Sequence, residues 1–261
     1  MGAIPASAQL YRYLNKEEGL SSRRVISIKK DFKGYMWFLT QEGVDRYNGK
    51  QYVHYKLSHD NKTIQHFPNL SHLHIDNKGN NWVIGKNGYI FKYNSHKDRY
   101  DLILTIAYSL QTGEKLPVTH TRMDKEDNLW FCTKNAQYIV RHGQSQITRL
   151  KSSIQEEITY ICQGKQNEYF IGTNHNIYLA KLEHNNLTVR KDSLLDNFHI
   201  VQHLYYHEPT ESLLIGTMID GFFLYNPQNR TLENIGNMKD VTMNSVIPFS
   251  HSKEEVLIAT D

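Results

Sequence analysis

Two cysteines among 261 residues are too few for a disulfide framework. Cys132 and Cys162 each fall in a stretch read as a strand. The simplest reading is two buried thiols acting as small apolar side chains, with one bridge between neighbouring units as the alternative. No run reaches the roughly 18 apolar residues of a membrane-spanning helix. The formal charge is only +3, without a polybasic run, so nothing in the charge pattern points to nucleic acid. A Gly-x-Ser-x-Gly elbow, a phosphate-binding glycine loop and a His-Glu-x-x-His zinc motif are all missing. No catalytic residue, metal or cofactor is therefore expected. What remains is ordinary for a soluble globular domain, with 39% hydrophobic and 22% charged residues.

Ala6-Ser7-Ala8 before Gln9 resembles the small-residue cleavage site of a secretory signal, although the charged and apolar regions of such a signal are lacking. Residues 1–8 are read as a signal remnant or as added residues.

What is present is a repeat. Val25-Ile26-Ser27-Ile28-Lys29-Lys30-Asp31-Phe32-Lys33-Gly34-Tyr35-Met36-Trp37-Phe38-Leu39-Thr40 recurs over 70–85, with Asp76, Gly79 and Trp82 in register, and over 118–133, with Asp124, Asn128 and Trp130. Three degenerate copies are anchored at Phe170, Leu214 and Leu257, each followed by Ile and then Gly-Thr or Ala-Thr. The anchors 37, 82, 130, 170, 214 and 257 are 45, 48, 40, 44 and 43 residues apart. Units of that length built from short strands are what one blade of a β-propeller needs.

Period and punctuation divide the first unit into strands over 25–30, 35–40, 44–47 and 51–55, separated by Asp31-x-x-Gly34, Gln41-Glu42-Gly43 and Asn48-Gly49. The long connections 56–67 and 106–116 are read as loops or short helices. The fold class is therefore all-β, a β-propeller of four-stranded antiparallel blades with about six repeats visible, covering 9–261. Residues 10–14 read as a closing strand, and the sixth repeat is only half present. The chain is accordingly expected to be a fragment of a longer protein or of a propeller cut internally, and marginally stable when unclosed.

Asp31, Asp76 and Asp124 recur at one turn, so turn capping is the simpler reading than a glycosidase carboxylate pair. Trp37, Trp82 and Trp130 likewise recur, which favours packing between blades over stacking on sugars. His66, His72 and His74 lack the acidic or thiolate company of a metal site.

Gly19-Leu20-Ser21-Ser22 leading into Val25, then Asp31-x-x-Gly34-x-x-Trp37, then Glu42-Gly43-Val44-Asp45-Arg46-Tyr47-Asn48-Gly49, resembles the two-component regulator propeller repeat. The resemblance is clearest in the first three repeats and weaker in the last three. Gln41, Lys86 and Ala136 depart from it. It implies the periplasmic sensor region of a Bacteroides-type hybrid two-component system, in which two seven-bladed propellers precede a β-sandwich, a membrane span, a histidine kinase core, a receiver and a DNA-binding domain. This chain would be most of the first propeller. The kinase, receiver and span would lie elsewhere, so none of the 14 histidines is the phosphorylated one. The implied role is regulation of polysaccharide utilisation through an oligosaccharide ligand and a homodimer of the longer protein. This chain would touch no nucleic acid.

In a propeller the links into the first strands and the loops after the second strands share one face. Residues two before each first strand are read as Arg23, Pro68, Leu116, Glu156, His199 and Asn244. The loops add Gln41, Glu42, Lys86, Asn87, Lys134, Asn135, Asn174 and His175. With Arg24, the cations of this set suit an acidic oligosaccharide. The ligand residues expected are Arg23, Arg24, Gln41, Glu42, Lys86, Asn87, Lys134, Asn135, His199 and Asn244. Competing readings are a secreted propeller glycosidase or lyase, and a protein-interaction scaffold.

Overall fold

The computed structural model describes residues 13–59, 62–63, 70–76, 78–85, 89–105, 118–144, 146–236, 241, 243–248 and 255–260. Among them there is no helix. The chain forms two compact units, Met1–Gly85 with Phe91–Leu102, and Lys86–Ile90 with Ile103–Asp261.

The first sheet orders β1 (Val25–Lys30), β2 (Met36–Thr40), β3 (Gly43–Tyr47) and β4 (Tyr52–Tyr55) in sequence, with every described pairing antiparallel. A small hairpin of β5 (Ser58–His59) and β6 (Lys62–Thr63) follows, where the sequence left a loop or short helix. The second sheet holds β7 (Leu70–Ile75), β8 (Asn81–Gly85), β9 (Tyr89–Asn94) and β10 (Arg99–Thr105). The third holds β11 (His120–Met123), β12 (Leu129–Thr133), β13 (Ala136–Val140) and β14 (Ile147–Arg149).

The fourth blade differs. Its strands β16 (Ile158–Gln163), β17 (Glu168–Thr173), β18 (Asn176–Glu183) and β19 (Asn186–Asp196) gain β15 (Lys151–Ser152), parallel to β19 at its outer edge. The fifth blade holds β20 (Val201–His207), β21 (Ser212–Thr217), β22 (Phe222–Asn226) and β23 (Thr231–Gly236). The last sheet has two described strands, β24 (Met243–Pro248) and β25 (Val256–Thr260). Its anchor Leu257 is 50% exposed, whereas Trp37, Trp130, Phe170 and Leu214 are buried. Of the strand expected over 10–14, residues 10–12 lie outside the described residues, as do 1–8 and 106–116. Tyr13 and Leu14 are not in a strand.

Both faces of the inner strands are buried, because alternate side chains serve two different cores. On β17, Tyr169 and Ile171 join Trp130, Ile139 and Ile161 between the third and fourth blades. Phe170 joins Val201, Leu204 and Tyr225 between the fourth and fifth. The free thiols Cys132 and Cys162 fall in these two separate cores. Burial pushes both upward in pKa, so they are small apolar side chains and not nucleophiles.

The recurrent Asp is a turn cap, as its repetition suggested. Asp31 Oδ1 accepts from Lys33 N and Tyr35 N, both at 2.9 Å. Asp76 and Asp124 repeat this with the second and fourth residues after them. The recurrent Gly-Thr has two separate causes. A Cβ on Gly172 would come within 2.6 Å of Val201 Cγ1, and one on Gly216 within 2.7 Å of Met243 Cβ. The next blade's first strand therefore requires a residue without a side chain there. The Thr hydroxyl donates back across its own hairpin, from Thr40 to Gly43 O and from Thr217 to Gly221 O, while that of Thr173 turns to the Glu156 carboxylate.

Candidate functional site

First strands carry a built-in irregularity. Pairing with the second strand slips after Val25, Leu70, Ile158, Val201 and Met243. Each slip is a β-bulge, which leaves one residue outside the ladder and re-aims the strand. The bulged residues are Ile26, Ser71, Thr159, Gln202 and Asn244. This corrects one expectation: Asn244 does not precede its strand but lies within β24. Met243 pairs with Thr260 as Val25 pairs with Thr40, so the strand begins three residues earlier than the apolar pattern implied.

In the second unit, two of these bulges open on a cleft of about 450 Å³ lined by Thr159, Tyr160, Ile200, Gln202, His203 and Met243. Thr159 Oγ1 and Gln202 Oε1 are buried and hold no hydrogen-bond partner. A buried polar atom left unpaired costs on the order of 1–3 kcal/mol, so these two atoms are poised for a ligand or water. Ile200 forms part of the wall with φ at +54°, a rare conformation for a β-branched residue. It is held there because its N–H donates to Asn174 O at 2.9 Å and its carbonyl accepts from Met218 N at 3.0 Å.

One position on three successive first strands forms a belt of rings. His120, Tyr160 and His203 occupy equivalent positions on β11, β16 and β20, opposite Cys132, Gly172 and Gly216. Ring centroids are 5.1 Å apart for His120 and Tyr160, and 4.6 Å for Tyr160 and His203. Arg122 Nη1 donates to Tyr160 Oη at 3.4 Å, and Tyr160 Oη meets His203 Nε2 at 3.4 Å. Tyr160 Oη thus accepts from Arg122 and pairs with His203 Nε2, as donor to the ring in one tautomer and acceptor from it in the other. Burial, helped by the Arg122 charge, pushes His203 down to about 4, so the ring is neutral near pH 7. Burial also raises the Tyr160 phenol, keeping it protonated.

Of the residues selected from sequence, the described ones other than Asn244 lie on loops at the blade ends. Arg23 and Arg24 precede β1, and Gln41 and Glu42 form the β2–β3 turn; Gln41 N donates to Arg24 O at 3.4 Å. These four are exposed and brought together by one blade. Lys134 and Asn135 are exposed in the β12–β13 turn. His199 is already engaged, its backbone N–H and Nδ1 meeting Asp220 at 2.6 and 2.9 Å. Glu156 also has partners, accepting from Asn176 Nδ2 at 2.8 Å and from the Thr173 and Tyr178 hydroxyls. Lys86 and Asn87 lie outside the described residues, as does Pro68. Thr159, Tyr160, Gln202, His203 and Arg122 were missed. Their one sequence signal was an aromatic or imidazole at the same place in successive repeats, which the apolar pattern hid.

A second groove of about 370 Å³ lies between the fourth and fifth blades, floored by Phe170, Leu179 and Tyr206. Its rim is largely self-satisfied, with Lys165 on Glu211 at 2.5 Å and Lys181 on Glu183 at 2.8 Å. The axial cleft is the better candidate because its unpaired atoms point to something missing. His72 and His74 stack at 5.9 Å, and among the described residues no group of three side chains could hold a metal.

No protein-family model and no curated protein matches the chain. Solved structures do. The extracellular domain assigned to the hybrid two-component system BT3049 of B. thetaiotaomicron superposes with a TM-score of 0.72 over 95% of this chain, at 19% identity. That of BT4673 from the same organism superposes with 0.68 over 93%, at 18% identity. YCF48 from Cyanidioschyzon merolae gives 0.67 over 86%, at 11% identity. This chain is a β-propeller. It spans about a third of the two extracellular domains, 34% and 31% of their lengths, and 76% of YCF48. At these identities the likeness establishes the fold that the repeat implied.

Proposed function

We propose that this propeller is an extracytoplasmic ligand-sensing domain of a hybrid two-component regulator, binding an oligosaccharide without turning it over. The supporting observation is the axial cleft, lined by the bulged residues Thr159 and Gln202 of two successive blades, each with a buried unpaired oxygen, and by Ile200, Met243 and the Tyr160 ring. Sugars present apolar C–H faces and hydroxyl edges, and this lining offers a counterpart to each. The likeness to extracellular domains of B. thetaiotaomicron two-component systems supports the location and the sensory role. In the longer protein, ligand binding would shift the population of two arrangements of a homodimer and so control genes for polysaccharide use. Lys134 and Asn135 would then form a polar edge on their own blade, and Arg23, Arg24, Gln41 and Glu42 a separate one on theirs.

Calorimetric titration of a panel of oligosaccharides into the chain tests this. Saturable heat with one class, no released product, and at least tenfold weaker binding in Thr159→Val or Gln202→Leu is expected. Product formation would turn the reading toward a carbohydrate-active enzyme. Silence across the panel would remove the sensor assignment from this propeller.

A further inference from the structure

We propose that the axial cleft selects an anionic sugar, and that the Arg122 guanidinium is the group that holds its negative substituent. The inference rests on the sensor reading above and adds the class of ligand.

Arg122 is exposed on β11 and, among the described residues, has no carboxylate partner. Other cations of the same unit do: Lys125 holds Glu208, Lys165 holds Glu211 and Arg230 holds Asp192. What Arg122 touches is the belt. Its guanidinium carbon lies 5.8 Å from the Tyr160 ring centroid, and Nη1 donates to the Tyr160 hydroxyl. That single long bond leaves most of its five N–H donors unused. A planar fork with free donors matches a carboxylate or sulfate.

Arg122 stands beside the cleft and reaches it through Tyr160, which lines it. The lining contains no acidic side chain, so nothing there repels an anion. Thr159 Oγ1 is a free hydroxyl able to donate, and the neutral His203 carries one ring N–H. Each can serve an anionic oxygen without bringing a competing negative charge. A neutral sugar would satisfy Thr159 and Gln202 but leave the guanidinium unmatched. This differs from the loop cations suggested by sequence, of which Arg23, Arg24 and Lys134 stand on exposed blade ends.

The test titrates three tetrasaccharides into the intact chain: tetragalacturonate, which carries carboxylates, a κ-carrageenan tetrasaccharide, which carries sulfates, and neutral cellotetraose. At least one acidic probe is expected to bind, about 10- to 100-fold more weakly in Arg122→Gln and by an intermediate amount in Arg122→Lys. Which acidic probe binds separates carboxylate from sulfate recognition. The His203 ring resonances should shift with the acidic probe and not with cellotetraose, a readout that a folding defect would not mimic. Binding of cellotetraose alone, unaffected by Arg122→Gln, would overturn the proposal and leave the sensor reading intact. Acidic binding insensitive to both Arg122 variants would overturn it too. No binding of any probe would sink both.

Discussion

The indole Nε1 of Trp130 donates to Asp124 Oδ2 at 2.9 Å, so the anchor of a blade is hydrogen-bonded to the cap of its own first turn. The phenol of Tyr169, on the following blade, donates to the same oxygen at 3.0 Å. The pair recurs in Trp37 and Asp31 at 2.8 Å, and is stretched to 3.5 Å in Trp82 and Asp76. One carboxylate thus closes a turn, orients an indole and ties two blades.

Removing that carboxylate should be costly. Asp124→Ala leaves Glu126 N, Asn128 N, Trp130 Nε1 and Tyr169 Oη without their acceptor. Urea unfolding should show a loss of about 3 kcal/mol, and Trp130→Phe, which removes one donor and leaves a cavity where the indole is fully buried, should cost a similar amount. A double variant equal to the sum of the two would show that the indole and carboxylate act independently, contrary to the geometry.

Acid should weaken the joint between the fourth and fifth blades. Asp192 is buried and accepts from Arg230 at 3.0 Å, from Tyr225 Oη at 3.0 Å and from Leu194 N at 3.1 Å. The hydrogen bond from Arg230 leads in holding its carboxyl below the usual range. A carboxyl with a depressed folded pKa contributes stability above its unfolded value, near about 3.9, and loses it as pH falls through the folded value. Thermal melts between pH 7 and pH 2 should therefore drop steeply below about pH 4 in the wild type. Asp192→Asn should start lower at pH 7 and fall less. Parallel curves would assign the acid sensitivity to other groups.

Gly172→Ala places a Cβ 2.6 Å from Val201 Cγ1 and 2.9 Å from Val201 Cβ. Overpacking of this kind costs about 1–3 kcal/mol. Because Val201 begins the strand that carries Gln202 and His203, the same change should also loosen the axial cleft. Chemical denaturation should show the loss, and Gly172→Ala with Val201→Ala should recover part of it. Full tolerance of the single change would mean that the blades do not approach as closely as described.

Arg46 lies within 5.1–5.9 Å of the ring centroids of Tyr35, Trp37, Tyr55 and Tyr93. Its Nη1 donates to Tyr93 Oη at 2.8 Å and to Asp98 Oδ1 at 3.3 Å. Tyr55 Oη donates to the same Asp98 oxygen at 2.7 Å. Arg46→Met keeps the aliphatic stem and removes the charge. It should speed amide exchange in β3 and β4 by about tenfold, in line with the 1–2 kcal/mol of a partly desolvated cation–π cluster. Exchange unchanged in those strands would mark the cage as dispensable.

What could be read from the chain followed from local chemistry. Asp31, Gly34 and Trp37 mark a turn and a strand wherever they recur, because turn closure and a period of two depend on neighbours only a few residues away. The β1 limits Val25–Lys30 follow from that alone. The start of β24 at Met243 did not, since register is set by the partner strand and the residue opposite Thr260 is not marked in the chain. The β15 strand, only two residues long, was invisible for the same reason.

The sequence by itself determined the blade: its length, its turns, its buried anchors and the alternation that serves two cores. Tertiary structure alone decided the cleft. Arg122, Tyr160 and His203 are 38 and 43 residues apart and meet only because successive blades bring their first strands side by side. Thr159 and Gln202 acquire meaning from bulges that pull them out of the ladder. Contacts across blades depend on register and packing, and no spacing along the chain encodes them.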